Sequence, residues 1–215
     1  MIDEIIITTQ FNKKVLNIEF KNLDKSNAIS NKMLNELEIL FKKKKYINSF
    51  SCIVFKGYNN GPFSSGADLS DINKNRGLSL KVYQRKLHIF LNTLNTINVP
   101  KISFINSYCY GAGLLIAMYT DITICNDNAE FCIPAVKLGI KLPKKIIKYI
   151  LSKNINNFFF KDIMISGRKF LANEAYNAKM ISMVLNNDSY RNECNNYIFN
   201  ITKNNSATIS YYTRN

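Results

Sequence analysis

The chain has 215 residues, 47% of them hydrophobic, and a formal charge of +14, which gives one sizeable core and too little length for two independent domains. No apolar stretch approaches the ~18 residues of a membrane span, and Asp3 and Glu4 precede the first apolar run, so a soluble cytoplasmic protein with no membrane partner is expected. The basic balance attracts polyanions, nucleic acid and phosphorylated small molecules alike, although a coding bias toward Asn and Lys accounts for the same lysines equally well.

Residues 5–20 read as two strands rich in β-branched residues, joined by the polar turn Asn12 to Lys14 as an antiparallel hairpin. A helix follows, with Ser30 as its cap and Met33, Leu34, Leu37, Leu40 and Phe41 at helical spacing. Its end runs into the lysines 42–45, which suit a helix C-terminus.

Next come a strand at 52–55, a loop at 57–66 rich in Asn, Gly, Pro and Ser, a helix at 78–97, and a strand at 102–105. Residues 111–119 read as a buried helix and 122–125 as a further strand, so strands alternate with helices in the manner of a largely parallel sheet. From Pro143 onward the pattern is helical, with a strand at 183–185 and a polar, partly amphipathic tail after it.

Cys52, Cys109, Cys125, Cys132 and Cys194 are odd in number, form no CxxC pair and sit mostly in apolar runs, as buried thiols do. The one histidine, His88, and the absence of clustered carboxylates speak against a metal site.

Two loop-to-helix junctions have the composition of a site: Phe63-Ser64-Ser65-Gly66-Ala67-Asp68-Leu69 and Tyr108-Cys109-Tyr110-Gly111-Ala112-Gly113-Leu114. Small residues ahead of an apolar helix let an anionic oxygen approach the backbone N–H groups of the first turn. Glycine-rich turns also occur for packing alone, so spacing by itself leaves both readings open.

These segments, with others in the same order, resemble the crotonase (enoyl-CoA hydratase/isomerase) superfamily across residues 5–186. Lys25-Ser26-Asn27-Ala28 resembles its first substrate loop, and Phe63 to Leu69 its FSxGADL signature. The segment PKISFINSYCYGAGLLIAMYTD at 100–121 resembles its strand, glycine loop and helix; AEFCIPAVKLGI at 129–140 and Gly167-Arg168 with Ala172 to Ala175 resemble later family segments.

The resemblance implies an α/β crotonase-like spiral of ββα turns, with a core at 1–186, a shortened helical region at 187–215, and assembly as a trimer or hexamer. It implies oxyanion donors at the N–H groups of Ala67 and Ala112. An acyl-CoA or acyl-carrier-protein thioester would be held by Lys25, Ser26, Ala28, Ser65, Gly66, Asp68 and Leu69, with Tyr108, Gly111, Leu115 and Ala135 also at the site. No cofactor is implied beyond the coenzyme A or phosphopantetheine of the substrate.

By the same resemblance, the two glutamates that hydratases use for proton transfer fall on Leu115 and Ala135, neither of which exchanges protons. The segment Lys141-Leu142-Pro143-Lys144-Lys145 replaces a glycine-rich turn and looks more like isomerase-type and decarboxylase-type members. Tyr119, Tyr108, Tyr110 and Glu130 are weak replacement acids or bases beside their structural roles. Asp121 reads as a backbone cap, and His88 as a core or surface residue with a conceivable hydrogen bond to substrate.

Three functions follow: an acyl-thioester lyase or isomerase, with decarboxylation of a malonyl-type thioester as its sharper form; a non-catalytic thioester-binding subunit; and an RNA-binding member. The last requires a clustered basic face, for which lysines 42–45 and 141–148 are the candidates, and nucleic acid ranks lowest as a partner.

Overall fold

The computed structural model describes residues 4–73 and 76–213; Arg214 and Asn215 of the expected tail lie outside the described residues. Strands β1 (Ile5–Gln10) and β2 (Val15–Phe20) form the expected hairpin, paired from Ile5 opposite Phe20 to Gln10 opposite Val15. Helix α1 (Asn31–Lys42) is capped as predicted, Ser30 Oγ accepting the Met33 N–H at 2.9 Å. All five of its periodic apolar residues are buried. A separate turn of helix, α2 (Lys44–Ile47), follows, so the lysine run straddles two helices instead of closing one.

Strand β3 (Cys52–Gly57) leads to α3 (Leu69–Asn73) and α4 (Arg76–Asn95), then to β4 (Lys101–Ile105), β5 (Tyr108–Tyr110) and α5 (Gly111–Met118). The chain continues through β6 (Ile122–Asn126), β7 (Glu130–Cys132), α6 (Lys144–Ser152), α7 (Asn157–Ser166), β8 (Lys169–Leu171) and α8 (Ala172–Asn177). It ends with β9 (Met183–Leu185), α9 (Tyr190–Lys203) and α10 (Ser206–Tyr212). No helix among the described residues is long and apolar enough to cross a membrane.

The main sheet has the order β1-β2-β3-β4-β6-β9, parallel after the first pair. A second sheet, β5-β7-β8, was not anticipated from the sequence. Each of its strands is three residues long, too short for an alternating pattern to register.

Alternation along the main strands divides their side chains between two cores. Leu16, Ile18 and Phe20 of β2 with Ile53 and Phe55 of β3 face a large core shared with Leu37, Phe41, Phe90 and Leu114. Val15, Cys52, Val54, Ile102, Phe104 and Ile124 face the other way, against Tyr190, Cys194 and Ile198 of α9. Covering both faces explains why β3 reads as an unbroken apolar run; each such side chain contributes roughly 1.5–3 kcal/mol of burial. All five cysteines are buried free thiols.

Phe63 ties the larger core to the loop beyond β3. It is fully buried, meets Phe20 edge-on with ring centroids 5.2 Å apart, and its N–H donates to Tyr108 O at 3.0 Å. The turn just before it leaves no room for a side chain, since a Cβ at Gly57 would lie 2.0 Å from Pro62 O. Gly77, by contrast, has nothing within 4 Å of such a Cβ.

Gly57→Ala is therefore expected to cost about 3 kcal/mol in urea unfolding, and Gly77→Ala to stabilise the chain by roughly 0.5 kcal/mol through reduced freedom of the unfolded state. Equal midpoints for the two variants would contradict this packing.

Candidate functional site

Three stretches of chain that are distant in sequence lie side by side beyond the C-terminal ends of β2, β3 and β4. The loop at 62–68 is the middle one. On one side it joins the 22–29 loop: Ser65 N donates to Ser26 O at 3.0 Å, Ile29 N to Gly66 O at 2.7 Å, and Asp68 N to Ile29 O at 3.0 Å. On the other side it joins β5, where Tyr110 N donates to Ser64 O at 2.9 Å.

The 22–29 loop is shaped by Ser26 and Asn27, both in the left-handed region with φ of 50° and 60°. Asn27 stabilises that turn from both ends of its amide, accepting the Asn22 N–H at 3.1 Å and donating to Pro62 O at 2.8 Å. Ala28 is buried beside it, with its N–H on Lys25 O. The sequence reading gave Asn27 no part, because its value lies in a contact to a residue 35 positions away.

The middle loop and α5 approach each other at their glycines. Gly66 (φ 112°) and Gly111 (φ 47°) are both left-handed, and a Cβ on Gly111 would sit 3.4 Å from Gly66 Cα and 4.0 Å from Pro134 Cδ. At Gly113 a Cβ would fall 2.4 Å from Ser64 Cβ. Ser64 is itself fully buried, its Oγ accepting the Gly66 N–H at 3.1 Å. These contacts bring Ala67, Ala112 and the Pro134-Ala135 segment to one place.

Ala112 is the second residue of α5, where helix geometry leaves N–H groups without an internal acceptor. Neither its N–H nor that of Ala67 has an acceptor among the described residues, although the N–H groups on either side of Ala67 are engaged, Gly66 with Ser64 Oγ and Asp68 with Ile29 O. Leu115, one turn along α5, and Ala135 are buried, at 2% and 7% exposure, so the positions closest to these donors on α5 and after Pro134 are apolar. Tyr108 is half-buried, its ring stacked on Tyr110 with centroids 5.0 Å apart. Leu69 is largely exposed as the first residue of α3.

Lys25 spans the first two loops. Its Nζ donates to Asp68 Oδ1 at 3.0 Å, Asp68 Oδ2 at 2.8 Å and Ser70 Oγ at 2.7 Å, which engages all three of its hydrogens. Ser65 Oγ adds a bond to Lys25 O at 2.7 Å. Burial pushes the Asp68 carboxyl up, but the hydrogen bonds from Lys25 and Ser70 outweigh it and hold the group below the usual carboxylate range. The bond to Asp68 raises the Lys25 ammonium above its ordinary value.

The sequence profile of the enoyl-CoA hydratase/isomerase family matches residues 10–214. The chain belongs to this family. It is 28% identical over 165 residues to the probable mitochondrial enoyl-CoA hydratase 2 of Arabidopsis thaliana, spanning 75% of this chain and only 54% of the plant protein. To the 2,3-dehydroadipyl-CoA hydratase of Escherichia coli (strain K12) it is 26% identical over 185 residues, 86% of this chain and 70% of that protein. The crystal structure of an enoyl-CoA hydratase/carnithine racemase from Magnetospirillum magneticum superposes with a TM-score of 0.90 at 20% identity, covering 99% of this chain and 79% of the other. The crotonase-type fold expected from the motifs is thus the fold of this enoyl-CoA hydratase/isomerase family member.

The other candidate acids and bases are tied into structure. Tyr119 is buried and stacked on Tyr149 at 4.0 Å, and burial pushes its hydroxyl up to about 12. Glu130 ion-pairs with Lys169 at 2.8 Å and accepts the Tyr110 hydroxyl; these two bonds hold its carboxyl low, which makes it a weak base. Asp121 accepts the Lys101 N–H at 2.7 Å and pairs with its ammonium at 2.9 Å, joining the end of α5 to the start of β4. His88 shares a hydrogen bond with Asn92 one turn along α4, at 3.2 Å, while its Nδ1 is buried without a partner.

Asp68→Ala is expected to cost about 1–3 kcal/mol at neutral pH, because the carboxylate is buried and accepts several hydrogen bonds. Its folded pKa is depressed, so this contribution is complete above the ordinary carboxyl range and disappears as pH falls through the lowered native value. Urea unfolding of parent and variant should show the gap closing in acid; a gap that stays constant would contradict the assignment.

Proposed function

We propose that this chain binds an acyl thioester across the 22–29 and 63–69 loops and polarises its carbonyl with the N–H groups of Ala67 and Ala112. The observation that carries this reading is the pair of unengaged N–H donors on two backbones that meet at Gly66 and Gly111. Donors fixed in advance by surrounding hydrogen bonds need no reorganisation when charge develops on the carbonyl oxygen, which makes such an arrangement effective for an enolate. The family membership supports an acyl-CoA substrate, and the relatives described as hydratases act on CoA esters by name.

The coenzyme A or phosphopantetheine arm runs along Lys25, Ser26 and Ala28 and past Ser65 to Leu69. Since Asp68 and Ser70 occupy the Lys25 ammonium, that residue shapes the loop and does not offer a free cation to a phosphate.

With Leu115 and Ala135 at the positions where the family resemblance places hydratase glutamates, two-carboxylate hydration has no proton-transfer groups. Decarboxylation of a malonyl-type thioester needs none for its bond-breaking step. The C–C bond to the carboxylate breaks, carbon dioxide leaves, and the electron pair passes into an enolate whose oxygen the two N–H groups hold. A proton from solvent at the α-carbon then completes the acyl thioester. The apolar, buried character of Leu115 and Ala135 also suits a second reading, a subunit that binds thioesters without turning them over.

Mass-spectrometric turnover on enoyl, 3-hydroxyacyl and malonyl-type CoA esters separates these readings. The enzyme reading expects product from at least one class, and a loss of about 10²–10³-fold in kcat for Ala112→Pro and for Ala67→Pro, each verified as folded by circular dichroism. Binding without any turnover in the native chain would favour the second reading, and native rates in both folded proline variants would exclude the oxyanion assignment.

A further inference from the structure

The far end of α5 opens onto a cavity of about 1160 Å³, bounded by the start of β4, the end of α6, the turn after α8 and the last turn of α10. The mechanism above leaves it unused. Lys153, the residue that closes α6, lines it. Its Nζ donates to Thr120 O at 2.9 Å and lies 5.2 Å from the centre of the Tyr149 ring.

No carboxylate stands within ion-pair range of this amine among the described residues, and one carbonyl is its only hydrogen-bond acceptor there. Lys101, on the same cavity wall, is the reverse case: Asp121 Oδ2 at 2.9 Å, Ile97 O at 2.9 Å and Val99 O at 3.2 Å take all its hydrogens. Lys153 is therefore a lysine held in a cavity wall with hydrogens to spare and, among the described residues, no carboxylate in direct ion pair with it.

The charged and titratable groups around the cavity are Lys101 on β4, Asp121 after α5, Tyr149 on α6 itself, Tyr176 and Lys179 at the end of α8, and Tyr212 on α10. Burial favours the neutral amine, Asp121 opposes it and Lys101 reinforces it; the balance lowers the Lys153 pKa to about 8. Desolvation is one of the means by which a lysine becomes a nucleophilic amine.

We propose that Lys153 is a site of covalent acylation by acyl thioesters. The neutral nitrogen attacks the thioester carbonyl carbon, the C–N bond forms as the C–S bond breaks, and the departing thiolate takes up the proton that nitrogen loses. The resulting amide keeps one N–H for Thr120 O while the cavity loses one positive charge. This chemistry does not pass through the loop site and stands or falls separately from it.

The test is to incubate the full chain with acetyl-CoA, and separately with S-acetyl-N-acetylcysteamine, between pH 7 and 9, and to measure occupancy at every lysine by peptide mass spectrometry. At pH 8 roughly half of such an amine is neutral, against below 1% for a lysine in water. Lys153 is therefore expected to exceed the mean of the surface lysines about tenfold or more, with its rate levelling off by about pH 9. Ala67→Pro should label equally, and Lys153→Arg, which keeps the charge and a donor, should remove the selective product. Selectivity with both thioesters supports acylation by the thioester group alone; selectivity with acetyl-CoA only supports it with added recognition of the nucleotide arm. Occupancy at Lys153 no higher than at surface lysines, or labelling that vanishes in folded Ala67→Pro, would overturn the proposal.

Discussion

The candidate site depends on backbone meeting backbone. Gly66 and Gly111 lie side by side, a Cβ on the second standing 3.4 Å from the Cα of the first, and a methyl on Gly113 would overlap Ser64. Both Gly66 and Gly111 have positive φ, the conformation that favours glycine at these two positions. Their closeness brings Ala67 and Ala112 to one place, and the outer loop, residues 22–29 with its left-handed turn at Ser26 and Asn27, is hydrogen-bonded to the inner one, residues 62–68.

The rest of the fold makes that approach rigid. Phe63 anchors the inner loop within the aromatic cluster of Phe20 and Phe55, while β5 carries the chain directly into the first turn of α5. Lys25 and Asp68 close the outer loop onto the start of α3. The site thus rests on two sheets at once, the larger supplying Phe63 its burial and the smaller supplying Tyr110 as the hydrogen-bond partner of Ser64.

Features governed by neighbours in sequence were legible before the structure. Ser30 with its periodic apolar residues announced α1, and the β-branched run with a polar turn announced the first hairpin. The two glycine junctions were legible as candidates, and their order among the other motifs identified the family. Features that depend on distant pairing were not. The three-residue strands exist only because β7 finds β5 and β8. The Lys25 side chain, named only as a substrate-loop residue, meets Asp68 across 43 positions, and Tyr119 meets Tyr149. That Asp121 pairs with Lys101 and no carboxylate of the described residues pairs with Lys153 belongs to the same class, since only the folded arrangement shows it.

The chemistry proposed for this chain is electrostatic. With Leu115 and Ala135 buried where the resemblance places the family's glutamates, no proton transfer is assigned to carboxylates there, and the proposed chemistry rests on stabilising charge on a thioester oxygen. The most direct test is the carbonyl stretching frequency of a ¹³C-labelled acyl-CoA thioester bound to the protein, measured by isotope-edited infrared difference spectroscopy. Two convergent N–H donors weaken the C=O bond, so the stretch should fall below its value in water, and folded Ala112→Pro should return most of the shift. A bound thioester that absorbs at its solution frequency would contradict the account.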